Sequence, residues 1–164
     1  VVLIAKPEQQ YNFGYSLTRT IMSKLTYIET CPLDQFILRK VLSRYGTSCE
    51  VKCTDSSIAV LSLLSSRSLS VKNMPDMIVL DIYNPEINVW DFLDRIKWLY
   101  PTFPKPLEIY ILSASKFASD VERARKYWFV KAFMLKPVSK EMIIDLINKK
   151  QGNTRRFPML ESVN

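Results

Sequence analysis

The chain has 164 residues, 48% of them hydrophobic and 24% charged, which is the size and balance of one globular domain with a proper core. No apolar run approaches the roughly 20 residues that cross a bilayer, and the opening VVLIA is too short, with no basic residues before it, for a secretory signal. A cytoplasmic domain without membrane contact is therefore expected. The sequence contains no histidine, which excludes Ser-His-Asp and Cys-His nucleophile chemistry and denies the chain the role of a phosphohistidine donor.

Cys31, Cys49 and Cys53 show neither an even disulfide framework nor zinc-ligand spacing, so reduced thiols are expected. The formal net charge is +7, but residues 1–24 carry about +2 of it, residues 149–164 about +3 and the long middle only about +2. An excess gathered in the tails reads as solvated ends, and direct nucleic-acid binding is not expected.

From about Leu25 onward, short apolar runs alternate with helical periodicity, the pattern of an α/β domain built on a parallel sheet. LTYIE reads as a first strand. Pro32 suits a first helical position, and Leu33, Phe36, Ile37, Val41 and Tyr45 recur at helical spacing up to Gly46, a favourable helix stop. CEVKC reads as a second strand, and Thr54 or Asp55 can cap a helix carrying Ile58, Leu61 and Leu64. After a polar loop from Arg67 to Pro75, MIVLD is a continuous apolar run typical of a strand buried on both faces, and Asp81 closes it. Asn88 can cap the next helix, which carries Phe92, Leu93, Ile96 and Leu99 on one stripe. Pro101, Pro104 and Pro106 then admit a fourth strand, EIYILS. Ser119 and Glu122 have capping-box spacing, AFML reads as a fifth strand, and Ser139 can cap a last helix with Ile143, Leu146 and Ile147. Trp90, Trp98 and Trp128 are most simply helix packing, with Trp128 beside Tyr127 and Phe129 able to form an exposed aromatic patch.

Five strands alternating with five helices predict a doubly wound, five-stranded parallel sheet, whose ligands bind at the carboxyl ends of the strands. Glu29, Asp81, Ser113 and Lys136 all fall at such ends. A carboxylate can attack phosphorus, a second carboxylate helps to hold a hard divalent cation, and a lysine with a hydroxyl can bind phosphoryl oxygens. Phosphoryl transfer needs little more, because its catalysis is mostly positioning and charge neutralisation. Each residue alone is weak evidence, since a strand-end Asp is usually a turn former; four at corresponding ends are much stronger.

The segments DMIVLDIYNPEINVWDFL, IYILSAS and FMLKPVS resemble, in order and spacing, the three signature segments of response-regulator receiver domains, and the resemblance spans about Leu25 to Asn148. ERARKYWFVKAFMLKP looks most like stand-alone, chemotaxis-regulator-like bacterial receivers. The resemblance implies a flavodoxin-like (βα)5 fold with strand order 2-1-3-4-5. It implies Asp81 as phosphoacceptor, Lys136 and Ser113 as phosphoryl-binding groups, and Phe133 as a switch aromatic, although periodicity alone makes Phe133 plain core. It also implies a Mg²⁺ site from Glu29, Asp81 and the backbone carbonyl of Tyr83, and a cis bond at Lys136–Pro137. The partners implied are a histidine kinase or histidine phosphotransfer protein and a downstream protein target, with a homodimer admitted. The chain would be a phosphoacceptor and not an enzyme.

Two positions depart from the pattern. Receivers usually end strand one with two adjacent acids, and here Glu29 is followed by Thr30, which predicts weak Mg²⁺ binding because the ion prefers anionic oxygen ligands. Val89 stands where glycine is usual, which predicts a reshaped loop after Asp81. A degenerate receiver acting as a phosphorylation-independent interaction module is the alternative function. A hydrolase of the haloacid dehalogenase type is disfavoured, because Asp81 lacks a second Asp two positions on. The expected organisation is an N-terminal extension at 1–21, a receiver at 22–150 and a tail at 151–164, with VVLIA as an extra strand and Tyr11 to Thr20 as a helix the competing reading of the first segment.

Overall fold

The computed structural model describes residues 2–3, 23–45, 49–114 and 117–148. Its elements run β1 (Val2–Leu3), β2 (Ser23–Ile28), α1 (Pro32–Tyr45), β3 (Cys49–Thr54), α2 (Ser57–Leu64), β4 (Met77–Asp81), α3 (Val89–Leu99), β5 (Glu108–Ser113), α4 (Ala118–Ala124), β6 (Val130–Leu135) and α5 (Lys140–Asn148). A 3-10 turn over Tyr100–Thr102, with Pro101 inside it, ends the run of α3.

The sheet order is β1-β6-β5-β4-β2-β3. The strands from β2 to β6 pair in parallel, and counted over these five the order is 2-1-3-4-5, as expected. Strand β1 is an addition: Val2 lies opposite Phe133 and Leu3 opposite Ala132 in an antiparallel pairing on the β6 edge. Two residues of the 1–21 segment therefore belong to the sheet, as the extra-strand reading has it. The expected helix from Tyr11 to Thr20, the Gly46 stop and the segment 151–164 lie outside the described residues.

Alternation along each strand divides the core. Ile28, Ile78, Leu80, Ile109, Ile111 and Phe133 face one side with Val60, Leu61 and Leu64 of α2, Phe92, Leu93 and Ile96 of α3, and Ala124 of α4. Leu25, Tyr27, Met77, Val79, Tyr110, Leu112 and Met134 face the other with Leu38 of α1 and Ile143 and Leu146 of α5. Cover on both faces is why β4 and β5 are near-continuous apolar runs, each buried Leu or Ile contributing about 1.5–3 kcal/mol.

Several local expectations are corrected. The α1 stripe Leu33, Phe36, Ile37 faces solvent, at 63%, 55% and 38% exposure, while Leu38 is buried and Val41 and Leu42 are partly so. Helix α2 is capped by Ser56, whose side chain accepts from the Ala59 N–H, rather than by Thr54 or Asp55. Helix α4 begins at Ala118 with Phe117 as its uncapped N-terminal neighbour, so Ser119 lies inside the first turn, and Glu122 pairs with Arg125 instead. Trp90 is buried under the Arg123 guanidinium, but Trp98 is 80% exposed and packs little. Asn88 and Ser139 cap α3 and α5 as expected.

Candidate phosphoryl-acceptor site

Strand parity explains which side chains meet. Glu29 continues the alternation of Leu25 and Tyr27, Asp81 that of Met77 and Val79, and Lys136 that of Ala132 and Met134, so all three carry the parity of the α1–α5 face. Ser113 continues Ile109 and Ile111 on the opposite face, where Phe133 also lies. Backbone bonds extend the ladder past the strand ends and hold the rim together: Glu29 N–H donates to the Thr54 carbonyl, Ile82 N–H to Leu112 and Lys136 N–H to Ser113.

At the rim the Lys136 ammonium lies 2.6 Å from Glu29 Oε2, 2.7 Å from Asp81 Oδ2 and 3.0 Å from Asp34 Oδ2. Three carboxylates share one ammonium, a formal local charge of −2. Glu29 is 1% exposed, and its second oxygen accepts the Cys31 N–H at 2.9 Å. The other oxygen of Asp81 accepts the Tyr83 N–H at 2.9 Å, an Asx-type turn that fixes the carboxylate at the mouth of the crevice. Burial works against the charge on Lys136, but the hydrogen bonds it donates to Asp81, Glu29 and Asp34 outweigh it and hold the group well above the ordinary lysine range. Tyr27, directly before the cluster on the same face, is raised by burial and then by the Glu29 carboxylate, and remains a neutral phenol.

The structure thus brings Glu29, Asp81 and Lys136 into contact, as expected from their strand ends. Ser113 is fully buried one residue past the Leu112 that pairs with Asp81, and Phe133, 1% exposed, sits on its face of the sheet. Thr30 is exposed, outside the carboxylate cluster. Asp34 is the residue that sequence reasoning missed. An acid in the first turn of a helix is ordinarily explained by the helix dipole, which hides any second role. Pro32 starts α1 so close behind Glu29 that its first turn stays over the rim, and Gln35 Nε2 ties that turn back to the Glu29 carbonyl at 2.6 Å.

The loop after Asp81 is anchored from the other side. Ser57 Oγ donates to Asn84 Oδ1 and Glu86 Oε2, each at 3.0 Å, and the Ile58 N–H donates to the same Glu86 carboxylate at 3.2 Å. Glu86 thereby caps the start of α2, and the Ile58 N–H above all holds its pKa below the usual carboxylate range. Val89 occupies the first turn of α3 with its side chain 1% exposed in the core, a position that makes no demand for glycine. The Lys136–Pro137 bond is cis.

Carboxylate and carbonyl oxygens are the right donors for Mg²⁺. Their arrangement does not fit the ion, however: the three acids converge on the lysine nitrogen, and among the described residues no group of three or more acidic or cysteine side chains forms a metal-ligating cluster.

No family model and no curated protein matches the sequence. Solved structures do resemble the fold. A two-component response regulator from Legionella pneumophila superposes with a TM-score of 0.66 at 21% identity, over 79% of this chain and 98% of the other. The phosphorylated cyanobacterial phytochrome response regulator RcpA gives 0.60 at 20% identity, over 79% and 91%. The Mn²⁺-bound form of response regulator Rcp1 gives 0.63 at 19%, over 83% and 99%. Five parallel strands in the order 2-1-3-4-5 with acids and a lysine gathered at one rim, matched over nearly the whole of these relatives, give this chain the fold of the response-regulator receiver domains.

Proposed function

We propose that the chain is a receiver that accepts a phosphoryl group on Asp81 from a histidine kinase or phosphotransfer protein and signals through protein contacts. The observation that carries this reading is the setting of Asp81. Its carboxylate lies at the mouth of the crevice, one oxygen oriented by the Tyr83 N–H and the other neutralised by Lys136. An Asp81 oxygen attacks phosphorus as the donor P–N bond breaks, and the electron pair leaves with the imidazole of the donor. Lys136 offsets the charge that accumulates on the phosphoryl oxygens, and the Ser113 hydroxyl donates a hydrogen bond to one of them. Phe133, buried on the face of Ser113, is the aromatic that changes rotamer in this reading when that hydroxyl moves. The chain acts once per phosphoryl group and is not an enzyme.

Mg²⁺ is the cation that the resemblance implies, but the resting arrangement offers it no ligand set, because Lys136 already holds Glu29, Asp34 and Asp81 and the neutral Thr30 stands in place of an acid. The reading places the chain in the cytoplasm; among the described residues no helix is long and apolar enough to cross a membrane.

A second reading, a phosphorylation-independent interaction module, is favoured by one observation: Lys136 is fully engaged by Glu29, Asp34 and Asp81 without any phosphoryl group. Intact mass after incubation with a small acyl phosphate and Mg²⁺ separates the two. One added phosphate, lost in Asp81→Asn, is expected for the acceptor; an unmodified mass at high donor and metal concentration would leave the interaction module.

A further inference from the structure

A lysine ammonium has three N–H donors and no acceptor. Here three carboxylates lie within hydrogen-bonding distance of it, one for each donor. While this arrangement persists, Lys136 has no donor to give a phosphoryl oxygen. One partner has to be released, and the three are unequal. Asp81 is the acceptor itself. Glu29 is 1% exposed, and its other oxygen is bonded to the Cys31 N–H, so a Glu29 deprived of lysine would be a buried uncompensated charge. Asp34 makes the longest of the three contacts and is the most exposed of the three acids, at 25%, so water can replace the ammonium there.

We infer that Asp34 is a positioning residue of the Asp81 site: a latch, carried on α1 and supplying the acid that Thr30 lacks, which holds Lys136 in the resting state and is the partner exchanged for a phosphoryl oxygen. This rests on the phosphoacceptor reading of Asp81. The count of acids in the cluster is kept, but the third has moved from the strand end to the first helical turn, where it grips the lysine.

The 164-residue chain tests this with two measurements on the native protein, Asp34→Asn and Asp34→Glu, each checked for an unchanged circular dichroism spectrum. The first is solvent exchange of the Lys136 ammonium protons by NMR, with the signal assigned through Lys136→Met. The second is the rate at which Asp81 is modified by a small acyl phosphate with Mg²⁺. Asp34→Asn is expected to speed both by about two- to fivefold, the scale of a partly exposed ion pair, and Asp34→Glu to return both toward native values. Unchanged ammonium exchange in Asp34→Asn overturns the latch even if phosphorylation proceeds normally. Faster exchange with slower acceptance overturns it too, because Asp34 would then assist the chemistry. Faster exchange with no modification in any variant leaves the grip on Lys136 supported and sinks the phosphoacceptor reading.

Discussion

Charge balance at Lys136 governs the site. Hydrogen bonds to charged groups are worth about 1.5–3 kcal/mol, yet drawing ions from water costs several kcal/mol each, so the cluster specifies an arrangement more than it adds stability. Removing the lysine has a clearer sign. Lys136→Met leaves three carboxylates facing one another and should destabilise the fold by roughly 1–3 kcal/mol at neutral pH. Urea denaturation of the native and Lys136→Met chains checks it; a variant as stable as the native chain would show that desolvation of the cluster outweighs the pairing.

At the scale of elements, strand ends are legible in the sequence because a parallel strand buried on both faces is an uninterrupted apolar run, and the polar residue that stops it marks the rim. That is why Asp81, Ser113 and Lys136 can be located without coordinates, while Asp34, inside a helix, cannot. Helix α1 fails for a related reason. Leu33, Phe36 and Ile37 have the right spacing for a core stripe, but Leu38, Val41 and Leu42 offer an equally good one, and periodicity does not say which is inward. The fold decides by placing α1 against α5. Leu38→Ala should therefore cost about 2–4 kcal/mol, whereas Phe36→Ser should stay within about 0.5 kcal/mol of native. Thermal denaturation of the two variants distinguishes the stripes, and equal losses would contradict the orientation of the helix. The caps show the same limit: Thr54, Asp55 and Ser56 are chemically interchangeable candidates, and the end of β3 rather than propensity selects Ser56.

For the whole molecule, the titrating groups with the clearest shifts point to alkaline lability. Burial raises Tyr110, with Glu108 adding to it, and burial and a hydrogen bond to Asp94 raise Tyr127 to about 12. Tyr27 and Lys136 are raised at the carboxylate cluster. Each of these groups binds its proton more tightly in the folded state than in the unfolded chain. Their contributions are therefore complete below the unfolded values near pH 10 and are lost as pH rises toward the folded ones, since stability falls with pH wherever the folded state holds more protons. The chain should be insensitive to these four groups at neutral pH and lose stability steeply above about pH 10, with tyrosinate absorbance from the buried phenols appearing together with loss of circular dichroism. Tyr127→Phe removes one contributor whose hydroxyl bonds only at the edge of the core, 2.8 Å from Asp94. Its stability curve should be flatter above pH 10 than the native one while Tyr110 and Lys136 still drive unfolding. Tyrosinate formation by all phenols well before the loss of helical signal would show instead that Tyr27 and Tyr110 ionise within the native fold, and that the sheet is open to water where the packing closes it.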